Sequence, residues 1–411
     1  MPRPALIPRR SAALAVVPAL AALAALAAPA EAATPGLNGR MVSAQRAPAD
    51  LPGDVEDLEI MAWAPDGTSV QLTRTRTSDT QPSWSPDGRL ITFRTSRYGN
   101  RLNAHEQIMV MSADGTGTRR VSRDADPVVF SSQPAFSPDG GRIVFRSNRD
   151  TRTRIAEVYS MDLEGGDVRR LTDTPGFDER YPTLSPDGTT LLYASNRGGT
   201  WGIWAANADG SDPRVVFDGP AEDRAPAWSP DGTHIAFETW SEENVDGEVR
   251  VVAADGAGMR TVTTSPSHDE GPAWSPDGSM LAFTSERDGD SDTWITDAAG
   301  LGELRNLTAS DRYEESPEWQ PLPYAAAGHA PCGDVGRAPG EASGVVAVKA
   351  PCDTALRVAA RFTADAASGT PPERVEGFRC LRTPHTYDQV VVECDHAGAK
   401  KRVAFVWRAA S

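Results

Sequence analysis

Short runs in which apolar and polar residues alternate recur along the chain, each directly after the same turn sequence. The turn is Pro-x-x-Ser-Pro-Asp-Gly, and complete copies span residues 82–88, 134–140, 182–188, 226–232 and 272–278. Apolar residues lie four and six positions after each turn aspartate, as at Ile91 and Phe93. Proline and glycine favour a tight turn and a period of two favours a strand, so each copy predicts a β-hairpin.

A second hairpin fills the remainder of each repeat. Successive turn aspartates are separated by 52, 48, 44 and 46 residues. Further pairs of strands are predicted over residues 108–121, 158–172, 203–217, 249–263 and 294–308. Four short strands in a period of this length are typical of one β-propeller blade. Residues 36–323 show no helical periodicity, so an all-β fold is predicted.

The two ends of the repeat region predict one shared blade. Residues 39–44 and 60–73 have the pattern of strands two to four of a repeat, with no first strand before them. A partial turn copy at residues 317–321 supplies a first strand without the other three. Joined, these segments complete a sixth blade and remove the open sheet edges that invite aggregation. The sequence therefore predicts a six-bladed β-propeller closed by strands from both ends.

The repeats resemble those of the TolB-type β-propeller family. The resemblance rests on the turn sequence, on the Ser-Asn-Arg at residues 147–149 and 195–197, and on the Asp-Gly and Leu-Thr pairs at residues 114–115 and 171–172. It covers residues 36–323 and implies a six-bladed propeller. The same repeat occurs in TolB itself, in prolyl-oligopeptidase-like and tricorn peptidases, and in many secreted proteins. The separate N-terminal α/β domain of TolB is not expected here, because few residues precede the first predicted strand.

Residues 1–32 are predicted to be a cleaved secretory signal peptide. Three arginines precede an alanine-rich apolar run at residues 11–28, and the small-residue sequence Ala-Glu-Ala follows at 30–32. The apolar run is too short and too rich in alanine to favour a membrane span. The protein is therefore expected to be exported, to the periplasm or to the extracellular space.

The last part of the chain has a different composition. Residues 324–340 are rich in Ala, Gly and Pro and predict a linker. Residues 341–411 predict a small α+β domain, with strands at 344–349, 375–381, 390–393 and 402–407 and a helix at 353–363. The four cysteines are Cys332, Cys352, Cys380 and Cys394. In an exported protein they predict two disulfides; three pairings are open, and we favour Cys332 with Cys380 and Cys352 with Cys394. This segment also resembles a small cysteine-containing domain of exported actinobacterial proteins.

The net charge is unevenly distributed. The whole chain carries −16. Residues 1–32 and residues 324–411 each carry +2, which leaves −20 on the predicted propeller. A field of this sign repels nucleic acid and attracts cationic partners. Nucleic-acid binding is therefore excluded from the functions that we consider.

Acidic residues collect just before the predicted innermost strands. They are Asp79, Asp178, Glu179, Glu222, Asp223, Asp269, Glu270, Glu314 and Glu315. Arginines lie ten residues after four of the turn aspartates, at Arg97, Arg149, Arg197 and Arg287. In a propeller these positions share one face, around the mouth of the central channel. Two interpretations are open: structural pairs of arginine and carboxylate that tie neighbouring blades, and an acidic mouth that binds a cation, an amine terminus or a basic peptide.

Motifs of catalysis and of metal binding are mostly missing. The chain has no Gly-x-Ser-x-Gly, His-Glu-x-x-His or Cys-x-x-Cys sequence and no glycine-rich phosphate loop. The propeller histidines, His105, His234 and His268, take different places in the repeat, which argues against a shared metal site. One weak calcium candidate has alternating carboxylates at Asp288, Asp290 and Asp292, but Thr293 and Ala299 replace the glycine and glutamate of a calcium loop.

The sequence thus predicts an exported, non-catalytic and monomeric binding or scaffolding protein without a cofactor. Its acidic channel face would hold a protein or a cationic peptide or ligand. The alternative is an exported enzyme, a lyase or hydrolase of peptide or polysaccharide, with a metal or a His/acid site in the channel. A third hypothesis is that the propeller is a spacer that presents the C-terminal domain.

Overall fold

The computed structural model describes residues 37–46, 57–64, 68–98, 105–240, 247–264 and 267–322, together with the strands between residues 330 and 408. Every regular element in these residues is a strand, so the all-β prediction for the propeller is confirmed. The predicted signal peptide and the predicted helix at residues 353–363 lie outside the described residues.

The strands of the propeller follow the chain in groups. Three come first: β1 (Leu37–Arg46), β2 (Leu58–Trp63) and β3 (Ser69–Gln71). Five groups of four follow: β4 (Asp79–Trp84), β5 (Leu90–Thr95), β6 (Gln107–Ser112) and β7 (Arg119–Arg120); β8 (Ser131–Phe136), β9 (Arg142–Ser147), β10 (Glu157–Asp162) and β11 (Arg169–Arg170); β12 (Glu179–Leu184), β13 (Thr190–Ser195), β14 (Gly202–Asn207) and β15 (Arg214–Phe217); β16 (Glu222–Trp228), β17 (His234–Trp240), β18 (Glu248–Ala253) and β19 (Arg260–Thr261); β20 (Asp269–Trp274), β21 (Met280–Ser285), β22 (Asp292–Asp297) and β23 (Arg305–Asn306). The last is β24 (Glu314–Leu322).

Each group of four forms one antiparallel sheet in chain order, and the two ends of the chain share the sixth sheet. That sheet has the order β24-β1-β2-β3, with Met41 opposite Trp319 and Val42 opposite Glu318. The first strand of every blade contacts the first strands of both neighbouring blades, and β24 contacts both β20 and β4. The ring is therefore closed, and the prediction of a six-bladed propeller with a shared blade is confirmed.

The repeated turn joins the first strand of a blade to the second. In the turn after β4, the N–H of Gly88 donates to the carbonyl of Ser85 at 2.8 Å. The Ser85 hydroxyl donates to Oδ1 of Asp87 at 2.6 Å. The corresponding serine hydroxyls, followed by backbone N–H groups, hold the pKa of Asp139 and of Asp187 below its usual range. The turn thus depends on an ionised aspartate, and this explains why the Ser-Pro-Asp-Gly sequence recurs.

The core lies between the blades. The aromatic residues six positions after the turn aspartates, Phe93, Phe145, Tyr193, Phe237 and Phe283, are fully buried. One cluster combines Phe145 and Tyr159 of the second group with Ile108 and Val110 of the first. Another places Trp319 of β24 against Met41, Trp63 and Ile295. Closure of the ring therefore buries apolar surface as well as pairing strands.

Gly88 and Gly188 offer a matched test of closure, because both occupy the same turn with φ of +65° and +71°. A Cβ atom at Gly88 would lie 2.2 Å from the carbonyl oxygen of Pro321, whereas a Cβ at Gly188 would meet nothing within 4 Å. We expect Gly88→Ala to lower the free energy of unfolding by about 1–3 kcal/mol more than Gly188→Ala does. Urea unfolding followed by fluorescence measures both; equal losses would contradict this contact with the closing strand.

The C-terminal strands form a separate six-stranded sheet. They are β25 (Ala330–Val335), β26 (Ala342–Val348), β27 (Arg374–Val375), β28 (Phe378–Pro384), β29 (Gln389–His396) and β30 (Arg402–Arg408), in the order β25-β26-β30-β29-β28-β27. β25 lies inside the segment that composition predicts as a linker. Cys380 is the direct register partner of Cys394, whereas β25, which carries Cys332, pairs with β26 alone among the described strands. The pairing of the four cysteines stays a prediction, because Cys352 lies outside the described residues.

Candidate functional site

The first strand of every blade contains a backbone irregularity at the residue that precedes the first proline of the repeat. These bulge residues are Gln81, Gln133, Tyr181, Ala225, Gly271 and Ser316, and their φ angles lie between 46° and 60°. A register shift marks a β-bulge at the same place in all six blades. The left-handed region is uncommon for residues other than glycine. The bulge divides each first strand into an entry half, which carries the acidic residues, and a proline half.

The N–H groups of three bulge residues bond to side chains of the preceding blade. Gln133 donates to Oε1 of Gln81 at 3.0 Å, and Tyr181 donates to Oε1 of Gln133 at 2.9 Å. Gly271 donates to Oε2 of Glu238 at 2.9 Å. The first two bonds link neighbouring first strands, and the third links β20 to β17 of the preceding blade.

The proline halves enclose a central cavity of about 450 Å³. Both prolines of the repeat line it in all six blades, as Pro82 and Pro86 do in the first complete group. Its aromatic lining consists of Trp84, Phe136, Tyr181, Trp228, Trp274 and Trp319. Trp84, Phe136 and Trp319 are also members of the clusters between blades. The same side chains therefore hold the blades together and form the wall of the channel.

Glu318 is the one charged residue among those that line this cavity in the described part of the chain. Its Oε1 accepts hydrogen bonds from the backbone N–H of Trp84 at 3.2 Å and from the Ser83 hydroxyl at 3.3 Å. Burial raises the pKa of Glu318 to about 8, against the lowering effect of these two bonds.

Acidic residues at the start of the first strands lie in the protein interior. Asp79, Glu179, Asp223, Asp269 and Glu314 have no exposed surface. Arg97 pairs with Asp79, Arg197 with Glu179 at 3.2 Å, and Arg287 with Asp269 at 2.8 Å. In each case both partners belong to the same blade, so these three pairs do not tie neighbouring blades. The arginine follows the second strand and clamps that strand to the first.

Three of the predicted positions depart from this arrangement. Arg149 lies 3.3 Å from Asp124, in a blade whose first strand begins with Ser131 in place of an acid. Asp223 accepts from the Thr239 hydroxyl at 2.8 Å and from the N–H of Gly219 at 3.0 Å. Glu314 accepts from the amide of Gln45 at 2.7 Å. Burial raises the pKa of Glu179 and of Glu314 to about 7.

Two further predicted acids are neutralised by arginines. Asp178 pairs with Arg146 of the preceding blade at 2.9 Å and with Arg180 at 2.9 Å. Glu222 pairs with Arg224. Neither carboxylate is left to attract a cationic partner.

Glu270 and Glu315 remain, and the structure adds Glu238 to them. Glu270 contacts Nε2 of His268 at 3.1 Å, and Glu315 accepts from the Tyr313 hydroxyl at 3.3 Å. Burial and then the charge of Glu270 raise the pKa of Glu238 to about 7. Burial also raises the pKa of Glu315; the charge of Arg94 opposes this effect, and the charge of Glu270 adds to it. The charge of Glu270 thus disfavours ionisation of both Glu238 and Glu315. We call these three glutamates the carboxylate cluster.

A comparison with known protein families identifies the repeat. The family model described as TolB beta propeller domain, PD40, matches residues 129–222 and 213–324. The propeller is of the TolB type. The structure of TolB from Acinetobacter baumannii superposes with a TM-score of 0.58 at 21% sequence identity, over 69% of this chain and 67% of that one.

Proteins that are similar in sequence to this TolB-type propeller differ in size. An uncharacterized protein of Agrobacterium fabrum is 28% identical over 162 residues, which are 39% of this chain and 51% of the relative. An uncharacterized peptidase of Bacillus subtilis, YuxL, is 26% identical over 163 residues, 32% of this chain and 24% of the peptidase. The matched part spans about half of the first relative and a quarter of the second.

Two of the three aspartates of the calcium candidate accept hydrogen bonds from groups of the protein. The amide nitrogen of Asn306 donates to Asp288 and to Asp292, at 2.6 Å in both cases. Asp292 also accepts from the N–H of Ser310 at 3.0 Å, while Asp290 is exposed. No group of three or more His, Cys, Asp or Glu side chains suited to a metal ion occurs among the described residues.

The histidines of the TolB-type propeller have separate local roles. His105 is buried beside the Gln107 amide at 2.8 Å, and exposed His234 contacts the Thr233 hydroxyl at 2.8 Å. Only His268, of these three, contacts a predicted site acid. Across the described residues, no helix is long and apolar enough to span a membrane.

Sequence reasoning missed two residues of the TolB-type propeller, Glu238 and Glu318. Glu238 lies seven positions after a turn aspartate, where the other complete repeats have Arg94, Arg146, Ala194 and Thr284. Alignment of the repeats would have shown this variation. Glu318 belongs to the partial last copy of the turn, and only the structure shows that it lines the cavity.

Proposed function

We propose that this TolB-type propeller is an exported, non-catalytic binding protein that captures a cationic partner at the carboxylate cluster. The observation that carries the proposal is the excess of acid at this place. Among the described residues only Glu270 of the three forms an ion pair, with His268, while Arg224 and Arg94 act on Glu238 and Glu315 without pairing with them. The other site acids have arginine partners or several hydrogen-bond donors. A lysine or arginine side chain of a partner would lower the mutual repulsion of the three carboxylates.

The enzyme hypothesis would assign His268 and Glu270 to acid–base catalysis. The hydrogen bond with Glu270 raises the pKa of His268 above its ordinary value. A histidine that holds its proton near neutral pH is a weak general base. The pair is therefore better suited to charge recognition than to proton abstraction.

Neutralisation of the two more accessible glutamates tests the proposal. We expect Glu270→Gln combined with Glu315→Gln to weaken binding of a fluorescein-labelled hexalysine peptide about tenfold or more at low ionic strength, a loss of roughly 1.4 kcal/mol. Fluorescence anisotropy measures the affinity. Asp223 and Asp269 are unsuitable for this test, since they are fully buried and charge reversal there would destabilise the fold.

A matched control separates the cluster from overall charge. Glu164 and Glu303 lie on exposed turns, and their double change to glutamine removes the same net charge. We expect this control to bind hexalysine nearly as tightly as the unaltered protein. Equal weakening in both double variants would show a diffuse electrostatic effect and would refute the cluster as the site.

A further inference from the structure

The central cavity, which the proline halves enclose, is a second candidate binding site. Its volume of about 450 Å³ lies within the range of roughly 300–1,000 Å³ that is typical of small-molecule sites. Six blades contribute equivalent wall positions, and prolines with restricted backbone angles line it in every blade. A wall held in this way needs little rearrangement on binding.

One wall position distinguishes the shared blade from the other five. The residue after the first proline is Ser83, Ala135, Thr183, Ala227 or Ala273 in the complete repeats and Glu318 in the last copy. All six line the cavity. A single ionisable carboxyl group therefore occurs on a wall that otherwise has no ionisable acid or base.

The charge of Glu318 has no cationic partner among the described residues. Its hydrogen bonds come from a backbone N–H and a serine hydroxyl, and no described arginine, lysine or histidine forms an ion pair with it. A glutamine would accept the same two hydrogen bonds, so the junction between β24 and β4 does not need a carboxylate. Burial of an unpaired carboxylate is costly, and a bound cation would offset this cost.

The rest of the lining suits an organic cation. Trp84, Trp228, Trp274 and Trp319, together with Phe136, surround the cavity. Aromatic rings attract ammonium groups through their quadrupole and also accept an apolar ligand body. A carboxylate adds a charge-assisted hydrogen bond and selects against anions.

We infer that the cavity binds a small organic ammonium ion, with Glu318 as the counter-ion and the aromatic side chains as the wall. This site is distinct from the carboxylate cluster, which lies in the entry halves and on β17. It does not rest on the proposed capture of a cationic partner, and different variants test the two.

The test uses the protein from residue 33 to residue 411 and three ammonium probes of increasing size: tetramethylammonium, phenethylammonium and spermidine. Isothermal titration calorimetry gives the affinity, and fluorescence of the lining tryptophans gives an independent signal. We expect phenethylammonium to bind at least tenfold more tightly than 2-phenylethanol, its uncharged analogue. Absence of binding by all three ammonium probes, or equal affinity for the alcohol, would overturn the inference.

Glu318→Gln is the decisive variant, because it keeps the acceptor for Trp84 and Ser83 but removes the charge. We expect it to abolish the preference for the ammonium over the alcohol while its melting temperature at pH 7 stays equal to or above that of the unaltered protein. Glu303→Gln, on an exposed turn, is the matched control and should keep the full preference. A preference that survives in Glu318→Gln would refute the assigned counter-ion.

Trp228→Leu gives a second test that leaves the hydrogen bonds of Glu318 untouched. Loss of one aromatic ring should weaken phenethylammonium binding severalfold and reduce its advantage over 2-phenylethanol. An unchanged ratio of the two affinities would show that the aromatic wall does not recognise the charge.

Discussion

A chain that ends at Tyr313 is expected not to fold as a propeller, whereas a chain that ends at Leu322 is expected to fold. The nine residues between these ends form β24, which pairs with β1 and places Trp319 in a cluster with Met41 and Trp63. Its loss would expose the edge of β1 and remove a buried tryptophan, whose replacement by alanine alone costs about 3–5 kcal/mol. Far-UV circular dichroism with thermal unfolding compares the two chains, both started at residue 33.

A synthetic peptide of residues 314–322 provides the control for this prediction. Addition of the peptide to the shorter chain should restore a cooperative transition, because strand pairing and side-chain packing together specify its place. Cooperative unfolding of the shorter chain without the peptide, at the melting temperature of the longer one, would show that closure by β24 is not needed.

Thermal stability is expected to fall as the pH rises from about 5.5 to about 8.5. Burial raises the pKa of Glu179, Glu238 and Glu314 to about 7 and that of Glu318 to about 8, from near 4.3 in an unfolded chain. The folded state therefore binds more protons than the unfolded state over this range, and stability decreases as pH increases. We expect differential scanning calorimetry to show a decrease in Tm of at least about 5 °C.

Other carboxyl groups have lowered pKa values. They set the acid limit of stability and supply the control. Serine hydroxyls hold the pKa of Asp139 and Asp187 below the ordinary value, so the stability from these turns is lost as the pH falls below about 4. The maximum should therefore lie in mildly acidic solution. Glu318→Gln should flatten the decrease above pH 7 without changing the acid side. A Tm that rises steadily from pH 5.5 to 8.5 would contradict the raised pKa values of the buried glutamates.

The fold was largely predictable from the sequence because the repeat encodes it locally. The turn sequence fixes each hairpin, and the alternation that follows fixes the second strand. Even the shared blade could be predicted, since residues 317–321 preserve enough of the turn to reveal a first strand that lacks its partners. Closure then follows from the need to satisfy the free edges of two sheets.

The candidate site was predictable only in part, because sequence spacing gives the position of a residue along a strand and not its surroundings. Asp79 and Glu270 both belong to the entry halves, yet Asp79 is fully buried beside Arg97 while Glu270 joins the carboxylate cluster. For residues that follow the bulge, the bulge is the main reason. A left-handed residue inside a strand interrupts the alternation of side chains, so that period-two reasoning fails after it. Glu318 comes after such a residue, Ser316, and this is why its place in the cavity was missed.

The six bulges also separate the entry half of each first strand from the half that lines the channel. The residue after the first proline can be serine, alanine, threonine or glutamate without a change in the blade around it. The propeller thus has six such positions in the channel wall, and two neighbouring prolines hold each of them in place. Each position can be substituted separately. Ligand preference in such a channel can change through single substitutions that leave blade packing intact, which makes the repeat a ready scaffold for the diversification of small binding sites.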